Sequence, residues 1–251
     1  MFINTALRSM LNIGFSEVLP KVYVKDSIDM QMKIFRYLKT YHLLDMLQSE
    51  QFFIARRTVF SDKRENGYKE NLRSFFALLP CGNSEHDIRA RQSILTTRDY
   101  ARNHIRVSCW TKDQYTSHSE NYIKWKSFGI GYCRIETTLS DLLKSIDFRG
   151  MTVVVAPIQY RKEGYDSSLF DLIFTKTLEY EDEQEIRICL FPLDSNNDNA
   201  RYFIKDVERM IQGITLSPFI PRIKNNRIRG GLESKFPFLK GRIQLSKLVE
   251  Y

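Results

Sequence analysis

Glycine, proline and cysteine are all scarce in this chain. Its 251 residues include 11 Gly, 7 Pro and 4 Cys, which excludes collagen-like repeats, Pro-rich linkers and the disulfide-dense scaffolds of small secreted domains. Long apolar runs are absent too. The best candidate, Val153 to Ala156, falls far short of the roughly 20 residues a membrane-spanning helix needs, so no membrane partner is expected. Residues 1–14 are mildly apolar, with Arg8 inside the stretch, and lack the continuous apolar middle and small-residue cleavage site of an export signal. The expected location is the cytoplasm. Cys81, Cys109, Cys133 and Cys189 form no CxxC pair and no spacing with histidine that would build a zinc site, so reduced thiols and no metal are expected. There is no Walker loop, GxGxxG, HExxH or EF-hand loop. No GxSxG elbow surrounds any serine, and His42, His86, His104 and His118 give no sign of a triad partner.

What the chain does have is apolar and aromatic mass. Hydrophobic residues make up 43% and aromatics 13%, including 13 Tyr and 17 Phe. That is enough for one sizeable core, so a single domain over 1–251 is expected. The formal charge is +8, and it is uneven. From residue 201 onward there are 11 basic and 4 acidic side chains, whereas 161–200 holds 4 basic and 10 acidic. The basic C-terminal region, with Arg222, Lys224, Arg227, Arg229, Lys240 and Arg242 crowded together, suits a phosphate polymer, and these six are candidate nucleic-acid contacts.

The hydrophobic pattern predicts alternating helices and strands. Leu43, Leu44 and Leu47 share a helical stripe within Lys39 to Glu50, followed by a strand at Phe52 to Ala55. Ser84 to Arg102 reads as a helix. Ile105, Val107 and Cys109 alternate with Arg106 and Ser108 as in a half-buried strand. A helix over Ser119 to Phe128 carries Tyr122, Trp125 and Phe128. Strands follow at Ile130 to Glu136 and Met151 to Tyr160, with a capped helix start at Thr137 and Thr138 between them. A helix over Ser167 to Leu178, a strand over Glu183 to Phe191 and an Asn/Asp-rich loop over Asp194 to Asn199 come next. Phe203 to Val207 and Ile211 to Leu216 are further strand candidates, ended by Pro218 and Pro221. The whole predicts an α+β fold with mixed and antiparallel strands and several helices.

Three constellations bear chemistry. In the first, Tyr180 to Leu190 runs from an acidic turn into a strand, and period-2 geometry places Glu183, Glu185 and Arg187 on one face with Ile186, Ile188 and Leu190 on the other. Two adjacent carboxylates raise one pKa unless a cation offsets them, and Arg187 or Lys176 can do so. Such a pair can steady a positive transition state, orient a sugar hydroxyl or hold a divalent metal. The bland alternative is a solvated acidic turn. The second constellation, Val107-Ser108-Cys109-Trp110-Thr111, sets hydroxyls and an indole at a strand end. The third, Phe35-Arg36-Tyr37, offers a guanidinium beside an aromatic.

Taken in order, Arg36-Tyr37, Val107 to Thr111, Trp125, Ile135 to Thr138, Ile158-Gln159-Tyr160, Lys176 and Glu183-Gln184-Glu185-Ile186-Arg187 resemble a widespread bacterial family of unknown function with a CW strand, a tryptophan helix and a closing ExExR motif. The chain departs from it at Phe60-Ser61-Asp62-Lys63, where an Asn-Asp-Pro is common. The layout is also similar to the arginine, serine and ExE triad of mono-ADP-ribosyltransferases, including toxins of bacterial phage defence. That resemblance implies an ADP-ribosyltransferase-like fold and NAD as substrate. Arg36, Tyr37, Ser108, Trp110 and Thr111 would bind NAD, Glu185 would hold the ribose hydroxyl, and Glu183 would orient or deprotonate the acceptor. It further implies a nucleic-acid acceptor, with RNA favoured, and an antitoxin protein. Two other functions remain open on the residues alone: a non-catalytic nucleic-acid- or partner-binding module, and a metal-dependent nuclease using Glu183, Glu185 and Lys176.

Overall fold

Most of the β-prone stretches form strands, and the reason is visible in their burial: where both faces of a strand are covered, β-branched residues pack best. In the computed structural model, residues 2–12, 14–56, 84–112, 125, 131–162, 168–192 and 200–246 are described. In chain order the elements are α1 (Phe2–Leu11), β1 (Phe15–Leu19), β2 (Val22–Lys25), β3 (Lys33–Lys39), α2 (Thr40–Ser49), β4 (Gln51–Phe53), β5 (Ala55–Arg56), α3 (Glu85–Asn103), β6 (Arg106–Lys112), β7 (Tyr132–Thr138), α4 (Leu139–Ser145), β8 (Thr152–Pro157), β9 (Gln159–Arg161), α5 (Leu169–Phe174), β10 (Thr175–Thr177), β11 (Glu185–Phe191), β12 (Arg201–Phe203), α6 (Val207–Met210), β13 (Gly213–Leu216), α7 (Arg222–Lys235) and β14 (Ile243–Leu245). The fold is α+β with a mixed, largely antiparallel strand arrangement.

The chain forms two compact units. The first comprises Met1–Ile28, Ile54–Cys109 and Phe148–Ala200, and the second Asp29–Phe53, Trp110–Asp147 and Arg201–Tyr251. In the first, the strand order is β1-β2-β8-β11-β6, with β5 also on β6. β8 and β11 run antiparallel, with Ile188 opposite Val155 and Leu190 opposite Val153. Val154, Ala156, Cys189 and Phe191 meet Met10, Ala101, Ile105, Leu169, Ile173 and Phe174, so α1, α3 and α5 cover one face of these strands. In the second unit β3 pairs antiparallel with both β6 and β7, β13 pairs antiparallel with β7, and β14 runs parallel to β13. β4 and β12 make a separate two-stranded ribbon.

Several boundaries differ from the sequence expectation. The helix expected over 167–178 stops at Phe174, because Thr175 to Thr177 pair with β9 as a parallel strand instead. The strand expected from Glu183 starts at Glu185. Leu178–Glu183 form a 3-10 turn, and Gln184 sits in the left-handed region at φ 45°, which reverses the chain ahead of β11. The segment from Arg106 is a strand buried on both faces, not half-buried, with Arg106 and Ser108 at 2% and 1% exposure. Val207 begins a helix where a strand end was expected. Tyr122 and Phe128 of the expected tryptophan helix, the Phe60-Ser61-Asp62-Lys63 segment, Cys81, His118 and the 194–199 loop lie outside the described residues.

Local signals account for several helix starts. Ser84, Thr138 and Ser168 each accept a hydrogen bond from the backbone N–H three residues on. Thr138 also donates to the Asp141 carboxylate at 2.9 Å. Arg209 and Gln212 reach the same carboxylate, and hydrogen bonding from Arg209 is the main influence holding its pKa down. Gly131, at φ +88°, turns the chain into β7 and offers its carbonyl to both the N–H and the hydroxyl of Thr40. Helix α7 is different: it has no side-chain N-cap, and it carries Gly230 and Gly231 in its interior, each costing about 1 kcal/mol relative to alanine.

Removal of the Thr138 cap is expected to lower stability by about 1 kcal/mol in Thr138→Ala, read as a reduced urea midpoint with an unchanged slope. A midpoint equal to that of the parent protein contradicts this account of α4.

Candidate active site

β10, the 3-10 turn after it and the start of β11 bring four charged side chains of the first unit together. β10 pairs with β9 so that Lys176 lies opposite Tyr160. Lys176 Nζ is 2.7 Å from Glu183 Oε2 and 2.8 Å from Glu185 Oε2. Arg187, two residues beyond Glu185 on the same face of β11, donates from Nε to Glu185 Oε1 at 2.7 Å and from Nη2 to Oε2 at 3.1 Å. Its Nη1 donates to the Ile173 carbonyl at 2.6 Å, in the last turn of α5. The Glu185 N–H donates to the Tyr160 hydroxyl at 2.8 Å, and the Cys109 thiol bonds the Glu185 carboxylate. Tyr180 places its ring 5.4 Å from Lys176 Nζ.

The four charges differ in their access to water. The side chains of Lys176, Glu185 and Arg187 are 3–5% exposed, whereas Glu183 is 46% exposed. Burial by itself would raise the pKa of Glu185, but the charges of Arg187 and Lys176 and the Arg187 hydrogen bonds overcome it and bring it to about 2. Burial, with Glu185 nearby, pushes the Tyr160 hydroxyl up to about 12. At neutral pH the cluster therefore holds two cations and two carboxylates. Both cations already contact Glu185, and only Glu183 can leave its partner for a ligand without exposing a buried charge.

The residues expected to share one site divide between the units. Ser108, Glu183 and Glu185 belong to the first; Arg36, Tyr37, Trp110 and Thr111 belong to the second. Within the first, Cys109 and not Ser108 faces Glu185, because successive strand residues point to opposite faces. Glu183 stands in the turn and not on the strand, so it meets Glu185 through Lys176 and not by period-2 spacing. Within the second, Arg36 lies 4.8 Å over the Phe52 ring, Tyr37 sets edge-on to Trp125 at 4.9 Å, and Trp110 stacks near Phe52 at 6.1 Å with 2% exposure. Thr111 Oγ1 contacts the Lys112 carbonyl. The role of Tyr160 and Cys109 at the carboxylates had no sequence signal beyond their presence in short motifs.

In the C-terminal region Arg222, Lys224, Arg227 and Lys240 are exposed and Arg229 is half-buried. Arg242 is engaged structurally: Nη1 donates to the Ile211 carbonyl at 2.8 Å and to the Glu208 carbonyl, both beside α6. Among the described residues no group of three or more His, Cys, Asp or Glu side chains could hold a metal ion, and no helix is long and apolar enough to cross a membrane. No protein-family model, curated protein or solved structure matches the chain.

Because the folded pKa of Glu185 lies below its ordinary 4.5, its contribution is complete above about pH 4.5 and is lost as pH falls toward about 2. The shift corresponds to a contribution on the order of 3 kcal/mol. Acid titration of unfolding free energy is expected to show this loss in the parent protein and a smaller one in Glu185→Gln; equal acid slopes refute it. In the same assay, Arg187→Met removes the bidentate partner of the buried Glu185 carboxylate, leaving it to Lys176, and is expected to cost about 3 kcal/mol, with Glu183→Gln costing under about 1 kcal/mol.

Proposed function

We propose that the chain is an NAD-dependent mono-ADP-ribosyltransferase of the toxin type, with a nucleic acid, RNA favoured, as acceptor. The observation that supports this reading is the bridging of Lys176 between a buried Glu185, whose pKa is held well below the usual carboxylate range, and a half-exposed Glu183. A buried ion pair adds little net stability over apolar packing of the same volume, and strongly perturbed carboxylates cluster at functional sites.

In this reading Glu183 is the catalytic carboxylate, and Lys176, Glu185 and Arg187 position it. As the bond between ribose C1′ and the nicotinamide nitrogen breaks, nicotinamide leaves neutral with the bonding pair and positive charge develops on the ribose. A carboxylate nearby stabilises that charge. An acceptor hydroxyl or amine then bonds to C1′, and its proton passes to Glu183. With Glu183 turned toward the substrate, the remaining side chains carry one net positive charge, which suits the pyrophosphate of NAD. The NAD contacts that the family resemblance implies, Arg36, Tyr37, Ser108, Trp110 and Thr111, have no role in this proposal: Ser108 faces away from the carboxylates, and the other four belong to the second unit. A toxin acting in bacterial phage defence inside the cytoplasm would be restrained by an antitoxin protein.

A second reading, a non-catalytic nucleic-acid-binding module, is favoured by the depth at which Glu185 is locked to Arg187.

Incubation of the protein with labelled NAD and total RNA, DNA or cell protein separates the two. Label transfer to RNA that falls at least 100-fold in Glu183→Gln, with the fold retained by circular dichroism, is expected. Neither transfer nor nicotinamide release with any acceptor removes the enzyme reading and leaves the binding module.

A further inference from the structure

Helix α7 contains two local choices that oppose its own stability and that its unit does not explain. Arg222 and Lys224 occupy a first turn with no acidic residue and no side-chain cap, at the helix end where the dipole disfavours cations. Gly230 and Gly231 lie in the interior, yet neither has a positive φ, and a Cβ added to either meets nothing within 4 Å. Alanine would fit both positions and is the better helix former. When local preference and fold disagree without a packing reason, a functional constraint is the physical expectation.

The surface geometry says what kind of partner would use these features. Asn225 and Leu232 are the buried side of α7. At 3.6 residues per turn, Ile223, Arg227, Gly230 and Ser234 fall on the opposite side, with Gly231 and Lys224 along one flank and Arg222 and Asn226 along the other. The helix carries five cations, Arg222, Lys224, Arg227, Arg229 and Lys235, against one acid, Glu233. The glycines leave a strip where the helix backbone itself is the surface, bounded by long basic side chains. Ile223, 71% exposed, stands on the same face.

We propose that this face of α7 is the binding surface for single-stranded RNA. The phosphodiester backbone lies along the Gly230–Gly231 strip, close to the helix, with Lys224, Arg227 and Lys235 neutralising its phosphates. A protruding aliphatic side chain has a use against an unstacked base, which a duplex hides, and the exposed Asn226 and Ser234 can pair with ribose 2′-hydroxyls, which DNA lacks. The inference rests on the nucleic-acid reading of the acceptor and names its contact face, independently of any chemistry on NAD.

The test uses the full chain without NAD. Fluorescence anisotropy with a labelled 20-nucleotide single-stranded RNA, the same sequence as DNA and the RNA duplex is measured for the parent, Gly230→Ala/Gly231→Ala and Arg227→Ala. The glycine double variant is expected to melt higher, by about 2–4 °C per substitution, while binding single-stranded RNA at least tenfold more weakly. The parent's affinity should fall with salt with a log–log slope on the order of −2, and Arg227→Ala should flatten it. A higher melting temperature with unchanged affinity overturns the proposal. So does salt-insensitive or absent binding by the parent, equal or tighter binding of DNA or duplex, or light scattering that shows the glycines serving self-association. Because NAD is absent, failure here leaves the transferase reading standing, and failure of NAD turnover leaves this result standing.

Discussion

The buried Arg187 guanidinium holds the charged cluster of the first unit together. Three of its nitrogens are used: two grip the Glu185 carboxylate and the third takes the Ile173 carbonyl in the last turn of α5. A charge withdrawn from water must find its partners inside the protein, so this one side chain fixes the start of β11 against the end of α5. Lys176 completes the arrangement by neutralising the same carboxylate from β10. The register of β9 with β10, which sets Tyr160 opposite Lys176, the turn at Gln184 and the Tyr160 hydroxyl bond to the Glu185 N–H all converge on residue 185.

The same constraint separates the two glutamates by role. Glu185 cannot shed its partners without leaving a buried charge unpaired, so its chemistry is that of a fixed negative potential. Glu183 meets Lys176 from a half-exposed turn, where an ion pair is worth little. An ExE spacing therefore carries one structural and one accessible carboxylate here, and the turn between them makes the difference.

In the second unit the tension lies on the surface. Arg36, Phe52, Trp110, Tyr37 and Trp125 are occupied with one another in ring and cation contacts, which gives each a packing reason. Arg242 is likewise tied to backbone carbonyls. Helix α7 instead places cations at the wrong end of its dipole and glycines where alanine would serve.

Period and capping residues determined much of this protein from sequence alone. The apolar stripe of α2, the threonine cap of α4, the β-branched run of β8 and the α+β class all follow from short-range chemistry, which the chain carries with it wherever it folds. The offset of Glu185 by Lys176 and Arg187 was legible as a requirement of charge. Tertiary structure alone decided that β6 is buried on both faces, that residues 175–177 leave helix for strand, that Cys109 and not Ser108 meets the carboxylate, and that Glu183 is reachable while Glu185 is not. Those outcomes depend on which strand lies alongside which, and pairing between residues far apart in sequence leaves no trace in the local pattern.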